Sequence, residues 1–169
     1  MAEAAGQGLL ARASVRRVVE TLKQRGSGAE VVVLTETART AADAARALDV
    51  PVGAIVKSLV FTLEGAAVMA LVAGDRQCHA PGLATALGRD GAKVGRADAD
   101  LVRAATGFAI GGVAPVGHRE ALPVVLDASL GRFERVYAAA GHPHCVFGTT
   151  LDELASLTGG TVSDAITGA

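Results

Sequence analysis

The segment from Ile55 to Leu63 most constrains what this chain can fold into. It reads Ile-Val-Lys-Ser-Leu-Val-Phe-Thr-Leu and lies between Gly53 and Gly65, so its β-branched and aromatic residues predict a strand. Because side chains alternate between the two faces of a strand, Lys57 falls in the middle of the more apolar face. An unpaired ammonium is costly to bury. The head of Lys57 must therefore reach a partner, open into a cavity that takes an anionic or polar ligand, or extend outward to solvent.

The spacing of apolar residues along the rest of the chain predicts several short strands and helices. A second apolar run, Ala67–Ala73, follows Glu64-Gly65, so a β-hairpin with the first strand is expected. Further strands are predicted at Val31–Leu34, Leu122–Leu126, Arg135–Ala139 and Cys145–Phe147. Helices are predicted at Val15–Leu22, Ala41–Leu48, Pro81–Leu87, Leu101–Ala105 and Leu151–Leu157, with Ser14, Thr40 and Thr150 among their capping residues.

These elements favour one α+β domain. The chain has 169 residues, enough for a single sizeable core, and it shows no internal repeat or linker-like stretch. Hairpins mixed with short helices differ from the regular βαβ spacing of a doubly wound sheet. We therefore predict one domain over residues 1–169, with the weakly patterned residues 1–13 frayed.

Composition narrows the possible partners. The formal net charge is −1, so no global basic field holds nucleic acid, and such a ligand must be gripped locally or delivered by another protein. The two cysteines, Cys78 and Cys145, form no CxxC motif and do not indicate a disulfide scaffold. The sequence has neither a long apolar run nor a signal-peptide pattern, so we expect a cytoplasmic protein without a membrane partner.

A glycine-rich loop, Thr106–Gly117, is the second feature that points to a site. It contains four glycines and one proline in twelve residues, yet it matches neither the Walker A pattern nor GxGxxG. Such a backbone can take positive φ angles, approach a ligand closely and present N–H groups to an oxygen. The alternative is an ordinary turn between a helix and a strand.

Several blocks of the sequence together resemble the YbaK/prolyl-tRNA-synthetase-associated editing family. The resemblance extends in the same order from about Val15 to Leu157. The blocks are Arg39-Thr40-Ala41-Ala42-x-Ala44-Ala45, Ile55-Val56-Lys57-Ser58-Leu59, Thr106-Gly107-x4-Gly112-x2-Pro115-x-Gly117, Leu122-Pro123-x3-Asp127 and Val136-Tyr137-x3-Gly141.

This resemblance implies a freestanding aminoacyl-tRNA deacylase, most often acting on tRNA-Pro that carries a small wrong amino acid. It also implies a mixed, barrel-like β-sheet surrounded by helices and a hydrolase that needs neither metal nor cofactor. A prolyl-tRNA synthetase or an elongation factor is the candidate delivery partner. The family's lysine corresponds to Lys57 and its GxxxP loop to Gly111–Pro115, and both line one pocket around the 3′-terminal adenosine and the aminoacyl ester.

The resemblance assigns the expected site residues. Lys57 is the catalytic or orienting residue, supplying positive charge to the oxyanion of ester hydrolysis or holding the terminal ribose or phosphate. No Ser-His-Asp arrangement is evident, so water or a substrate hydroxyl or thiol is the expected nucleophile. The substrate-binding residues are expected to be Gly111, Gly112, Val113, Ala114, Pro115, Thr40, Asp127 and His142. Asp127 ends a strand, where it either caps a turn or braces the pocket floor.

Other polar residues have simpler interpretations. Ser58, on the opposite face from Lys57, is interpreted as a strand residue and not as a nucleophile. The group His142, His144, Cys145, Cys78 and His79 lacks the spacing of a zinc site. The charges of Arg16-Arg17 and Lys23-Arg25 are interpreted as a solvated helix face, and His118-Arg119 as a surface pair. The rival function is a catalytically silent tRNA- or nucleotide-binding module of the same fold.

Overall fold

The computed structural model describes residues 7–36 and 38–167. Their strands form one mixed sheet in the order β1-β7-β6-β2-β3-β5-β8, with β4 paired to β2 beside β6. The strands are β1 (Val31–Val33), β2 (Ile55–Leu63), β3 (Ala66–Ala73), β4 (Val94–Arg96), β5 (Val124–Asp127), β6 (Val136–Ala139), β7 (Cys145–Thr149) and β8 (Thr161–Ser163). The helices that flank the sheet are α1 (Ala13–Gln24), α2 (Ala41–Leu48), α3 (Ala80–Ala86), α4 (Ala99–Thr106) and α5 (Leu151–Thr158), with 3-10 turns at Val52–Ala54 and Ala128–Arg132. This arrangement confirms the predicted α+β class with a mixed sheet.

The hairpin of β2 and β3 is the longest pairing in the sheet, and it confirms the strand predicted at Ile55–Leu63 and its hairpin with the following apolar run. The two strands pair antiparallel from Val56 opposite Ala73 to Leu63 opposite Ala66. Glu64 and Gly65 form the two-residue turn with φ angles of 49° and 86°. Positive φ at both positions matches the twist of the flanking strands.

Helix starts follow the capping chemistry of the sequence at most positions. Thr40 Oγ1 accepts a hydrogen bond from Asp43 N–H at 3.1 Å, and Thr150 Oγ1 accepts one from Glu153 N–H at 3.0 Å. Both observations confirm the predicted caps. Ser14 is different, because α1 begins at Ala13 with Arg12 as its N-cap, and the Ser14 hydroxyl donates to the carbonyl of Gly141 at 2.9 Å. The predicted cap at Ser14 is wrong, since a tertiary hydrogen bond takes the side chain.

The apolar side chains divide into clusters on the two faces of the sheet. Val56 and Val60 join the largest cluster, which packs α1 against Phe108 and Phe147. Leu59 and Phe61 pack against a second cluster on the opposite face. This division confirms that Lys57 shares its face with Leu59 and Phe61.

Several local features depart from the sequence-based expectations. The three-residue strands β4 and β8 were not predicted, because Val-Gly-Arg and Thr-Val-Ser are too short to show a period. Residues 7–10 form a helical turn, so the fraying predicted for residues 1–13 does not extend to them, and residues 1–6 lie outside the described part of the chain. The described helices include none long and apolar enough to span a membrane.

The basic side chains of α1 are not uniformly solvated. Arg17 donates through Nη2 to the carbonyl of Gly107 at 3.0 Å and lies 4.7 Å from the centre of the Phe108 ring. Arg25 donates to the carbonyl of Leu157. The interpretation as a solvated face is therefore wrong for Arg17, because its half-buried guanidinium binds a loop carbonyl that only the tertiary fold brings near. Arg16, Lys23 and Arg25 are exposed, in keeping with that interpretation.

Candidate active site

The site begins at a gap along one edge of β2. On this edge β6 pairs with Ile55 and Val56 only, whereas β4 pairs with Phe61 to Leu63. The middle of β2, residues 57–60, has no strand partner on this side within the described sheet. β6 and β4 thus pair with opposite ends of the same edge of β2, and a cleft lies between them.

The cleft has a volume of about 540 Å³. Its floor is the middle of β2, and its walls come from the start of α2, the glycine-rich loop and the turn between β6 and β7. The lining residues include Arg39, Thr40, Lys57, Ser58, Val60, Arg96, Ile110, Gly111, Val113, Tyr137, Ala138, Ala139 and Pro143. The fold therefore brings together the blocks that lie far apart in the sequence.

Lys57 lies half-buried on the floor of this cleft. Its ammonium donates to the carbonyl of Arg76, in the turn that follows β3. An ammonium has three donors, and one such bond leaves others for a ligand. Of the three environments predicted for Lys57, the structure combines two: a protein partner anchors the head, and the side chain borders a cavity.

The charge around the cleft is of one sign. Arg39, Lys57 and Arg96 all line it, and no aspartate or glutamate does so among the residues that the structure describes. Low-dielectric walls lined by charge of one sign concentrate the local field. A chain with a net charge of −1 thus carries a local cationic site, which suits an anionic ligand.

The Gly111–Pro115 loop contributes to the cleft in part. Gly111, with φ of 97°, and Val113 line it, while Gly112 N–H closes a turn onto the carbonyl of Ala109 at 3.0 Å. Ala114 and Pro115 are buried and do not line the cleft. Direct contact with a ligand is therefore expected from the first half of the loop, and the second half supports it from behind.

His118 holds the buried half of this loop. Its Nε2 lies 2.7 Å from the carbonyl of Ala114, and because a carbonyl only accepts, Nε2 carries the proton. Burial lowers the pKa of His118, which favours the neutral ring at neutral pH. The ring also packs edge-on against Phe108 at 6.2 Å. The prediction that His118 and Arg119 form a surface pair is therefore wrong for His118. The short spacing between His118 and the Gly111–Pro115 loop is the only feature of the sequence that points to the contact with Ala114.

The remaining predicted site residues take different positions. Thr40 lines the cleft, although its hydroxyl caps α2. Asp127 does not line it: the side chain is fully buried and hydrogen-bonds the end of β3. His142 does not line it either; its Nδ1 accepts from His144 N–H at 3.1 Å, and its neighbour Pro143 lines the cleft instead. Burial also lowers the pKa of His142.

The side chains near the cleft offer no activated protein nucleophile among the described residues. The Ser58 hydroxyl is buried from solvent and has no hydrogen-bond partner there, in keeping with its interpretation as a strand residue. Burial raises the pKa of Cys78 to about 11, so this thiol stays protonated at neutral pH. Within residues 7–36 and 38–167, no group of three or more His, Cys, Asp or Glu side chains is placed to hold a metal ion.

Gly112→Ala tests the close contact between the loop and the β6–β7 turn. A Cβ on Gly112 would lie 2.9 Å from both Cα and N of His142, and these backbone atoms cannot rotate away. We expect the substitution to displace Gly111 and Val113. The kcat/KM of a reaction catalysed in this cleft should then fall by about 10- to 100-fold, as it does when binding groups are slightly misplaced. Gly28→Ala is the control, because a Cβ there meets no atom within 4 Å. Equal kcat/KM for both variants would contradict this account of the loop.

Comparison with known proteins identifies the family of this chain. Residues 35–157 match the aminoacyl-tRNA editing domain family. A proline–tRNA ligase of Lactobacillus acidophilus is 30% identical over 135 residues, covering 78% of this chain but 23% of the ligase. A proline–tRNA ligase of Nitratidesulfovibrio vulgaris is 36% identical over 98 residues, or 58% of this chain and 17% of the ligase. This chain thus spans about a quarter or less of these curated relatives.

Solved structures extend the similarity to nearly the whole chain. A candidate trans-editing enzyme for prolyl-tRNA synthetase shares 42% identity and a TM-score of 0.86 over 94% of this chain and 99% of its own. The hypothetical protein APE2540 shares 28% identity and a TM-score of 0.81 over 90% of this chain and 99% of its own. With its family match, its fold and the cleft between Lys57 and the glycine-rich loop, the chain belongs to the aminoacyl-tRNA editing domain family.

Proposed function

We propose that this protein is a freestanding trans-editing deacylase that hydrolyses the ester of mischarged tRNA, with tRNA-Pro carrying a small non-cognate amino acid as its substrate. The observation that carries the proposal is one cleft in which the ammonium of Lys57 borders the same cavity as the backbone of Gly111 and Val113. The family membership and the similarity to prolyl-tRNA synthetases support the choice of substrate class.

The cleft can supply what ester hydrolysis requires. Attack by water on the ester carbonyl forms a tetrahedral oxyanion, which collapses as the bond to the ribose oxygen breaks and that oxygen takes up a proton. Preorganised N–H donors and a fixed cation stabilise such an oxyanion. Gly111, Val113 and Lys57 are the groups that take this role. Water, or a hydroxyl or thiol of the substrate, supplies the nucleophile, and no metal takes part.

We propose that selection for a small amino acid is steric. Ala138 and Ala139 line the cleft beside Tyr137. A wall of this kind can exclude a large side chain sterically, whereas a single methylene changes the binding energy by only about 1–3 kcal/mol. The cleft therefore separates small side chains from larger ones more sharply than it separates small ones from each other.

Binding of free tRNA is expected to be weak and sensitive to salt. The cations Arg39, Lys57 and Arg96 are local, and the whole chain carries a net charge of −1. Each phosphate contact releases counterions, so affinity falls as salt rises, and a few cations give weak binding with a correspondingly modest slope. A prolyl-tRNA synthetase or an elongation factor in the cytoplasm is the proposed source of the substrate.

A panel of charged tRNAs tests the proposal. The purified protein is incubated with tRNA-Pro carrying Ala, Cys, Ser or Pro, and the remaining ester is followed against a reaction without protein. We expect rapid loss of at least one mischarged ester and preservation of prolyl-tRNA. Binding of these tRNAs without cleavage of any ester would contradict the deacylase and favour the silent binding module.

A further inference from the structure

The middle of β2 presents unpaired backbone groups to the cleft. Gly74 N–H donates to the carbonyl of Ile55 at 2.8 Å, so Ile55 and every second residue after it bond toward β3. Glu64 N–H donates to the carbonyl of Lys93 at 2.9 Å, so the even-numbered residues bond toward the other edge. Because hydrogen-bonding direction alternates along a strand, the N–H and C=O groups of Ser58 and Val60 point into the gap between β6 and β4.

Two of these groups form an acceptor and donor side by side. The pairing of β6 stops at Val56, which leaves the Ser58 carbonyl without a strand partner among the described residues. The pairing of β4 begins at Phe61, so the Val60 N–H also has no strand partner among the described residues. A carbonyl at residue i and an N–H at residue i+2 on one strand edge are the pair that an added strand would use. A ligand that removes such backbone groups from water must supply their hydrogen-bond partners.

The walls beside this edge suit a flat apolar ring better than an added strand. Ile110 is 64% exposed at the cleft and lines it together with Pro143 and Val113. An added strand would need a long open edge, whereas this one is limited to residues 57–60 by β6 and β4. A planar base with one donor and one acceptor on a single side fits the available length.

We propose that this edge of β2 reads the adenine of the 3′-terminal adenosine, with the Ser58 carbonyl accepting from the N6 amino group and the Val60 N–H donating to N1. The inference rests on the proposed function. Adenine carries a donor at N6 next to an acceptor at N1, which complements the edge, whereas guanine and hypoxanthine carry the reverse pair. The ribose and its ester then lie toward Lys57, the neighbour of Ser58, and the cations of the cleft accompany the phosphate.

Substrates with altered terminal bases test the proposal on the intact chain. tRNA-Pro transcripts ending in adenosine, 7-deazaadenosine, 1-deazaadenosine, purine riboside or inosine are charged by an acylating ribozyme with the amino acid that the panel identifies. We expect kcat/KM to fall about tenfold for 1-deazaadenosine, which lacks N1, and for purine riboside, which lacks the amino group. The kcat/KM for the inosine end is expected to fall further. The kcat/KM for the 7-deazaadenosine end, which keeps both groups, should stay within about twofold of that for adenosine. Equal kcat/KM for all five ends would overturn the proposal.

Variants at Val60 assign the contact to the backbone. Val60→Pro removes an N–H that points into the gap and also replaces the valine side chain, and proline is tolerated where a strand edge is unpaired. Val60→Ala is the matched control, because it shortens the side chain and keeps the N–H. We expect Val60→Pro to lose the discrimination between adenosine and 1-deazaadenosine ends and Val60→Ala to retain it. If Val60→Pro does not fold by circular dichroism, the wild-type series with altered bases decides the question alone.

A binding measurement separates this inference from the proposed function. If tRNA ending in adenosine keeps its ester, the deacylase proposal has failed, and the adenine contact is then decided by titrating the protein with AMP or IMP. We expect AMP to shift the amide resonance of Val60 in a ¹H–¹⁵N spectrum and IMP at the same concentration to leave it in place. An unchanged Val60 amide at saturating AMP would overturn the adenine contact.

Discussion

Lys57→Ala is expected to lower kcat/KM for deacylation of the mischarged ester by about 10²–10³-fold, the usual loss when one preorganised stabiliser of an oxyanion is removed. Lys57 lies on the floor of the cleft, where its ammonium is bonded to the Arg76 carbonyl. Its loss removes the charge and leaves the glycine-rich loop in place. The measurement is steady-state hydrolysis of the ester that the wild-type protein removes fastest.

Two controls separate charge from fold in this experiment. Lys93→Ala removes an exposed lysine that does not line the cleft, and it should retain wild-type kcat/KM. Lys57→Met keeps the length of the apolar stem and should be as inactive as Lys57→Ala, because only the ammonium differs. Unchanged turnover by Lys57→Ala, with a wild-type circular dichroism spectrum, would remove Lys57 from the proposed mechanism.

Asp127→Ala is expected to lower the free energy of unfolding by about 3 kcal/mol, since each buried donor left without an acceptor costs about 1–3 kcal/mol. The fully buried carboxylate accepts from Ala73 N–H at 3.0 Å, Ser129 N–H at 2.8 Å, Ser129 Oγ at 2.7 Å and Thr167 Oγ1 at 3.2 Å. These bonds join the end of β3, the following 3-10 turn and the C-terminal segment. Urea unfolding monitored by circular dichroism gives the free energy directly.

The same carboxylate supports Lys57 indirectly. Asp127 fixes Ala73 N–H, the Ala73 carbonyl accepts from Arg76 N–H at 2.9 Å, and the Arg76 carbonyl accepts from Lys57. Asp127→Ala is therefore also expected to lower deacylation under conditions where it remains folded. Thr167→Ala is the matched control, because it removes a single partner of Asp127 at the far side from β3. A loss of stability below about 1 kcal/mol for Asp127→Ala would contradict the structural role assigned to its buried bonds.

The role of Asp127 differs between the resemblance to the family, which implies substrate binding, and the geometry, which gives it buried structural hydrogen bonds. The sequence places it in a block that accompanies the substrate-binding residues, and the alternatives left open were a turn cap or a brace for the pocket floor. Its Oδ1 accepts from Ser129 N–H, which is a turn cap, and its Oδ2 braces the strand end beside the cleft. A direct contact between Asp127 and the substrate stays a prediction. The position of Asp127 outside the cleft does not favour it.

The elements that could be predicted from the sequence are those whose signals are local. The alternation over Ile55–Leu63, the two-residue turn at Glu64-Gly65 and the caps at Thr40 and Thr150 each depend on neighbours within a few residues. Local periodicity and capping chemistry are enough to predict such features, and they also put Lys57 on the correct face of its strand. The blocks shared with the family added the prediction that Lys57 and the glycine-rich loop meet.

The construction of the cleft could not be predicted from local sequence signals, because it depends on contacts between distant segments. The gap over residues 57–60 exists because β6 and β4, far apart in sequence, pair with opposite ends of the same edge of β2. No local pattern encodes such a pairing, and the three residues of β4 are too few to show a period. The buried contacts of His118 and Arg17 likewise arise from carbonyls that distant segments present. Charge and polarity in the sequence predict solvent exposure for such residues, and the fold overrides that prediction by supplying hydrogen-bond partners in the interior.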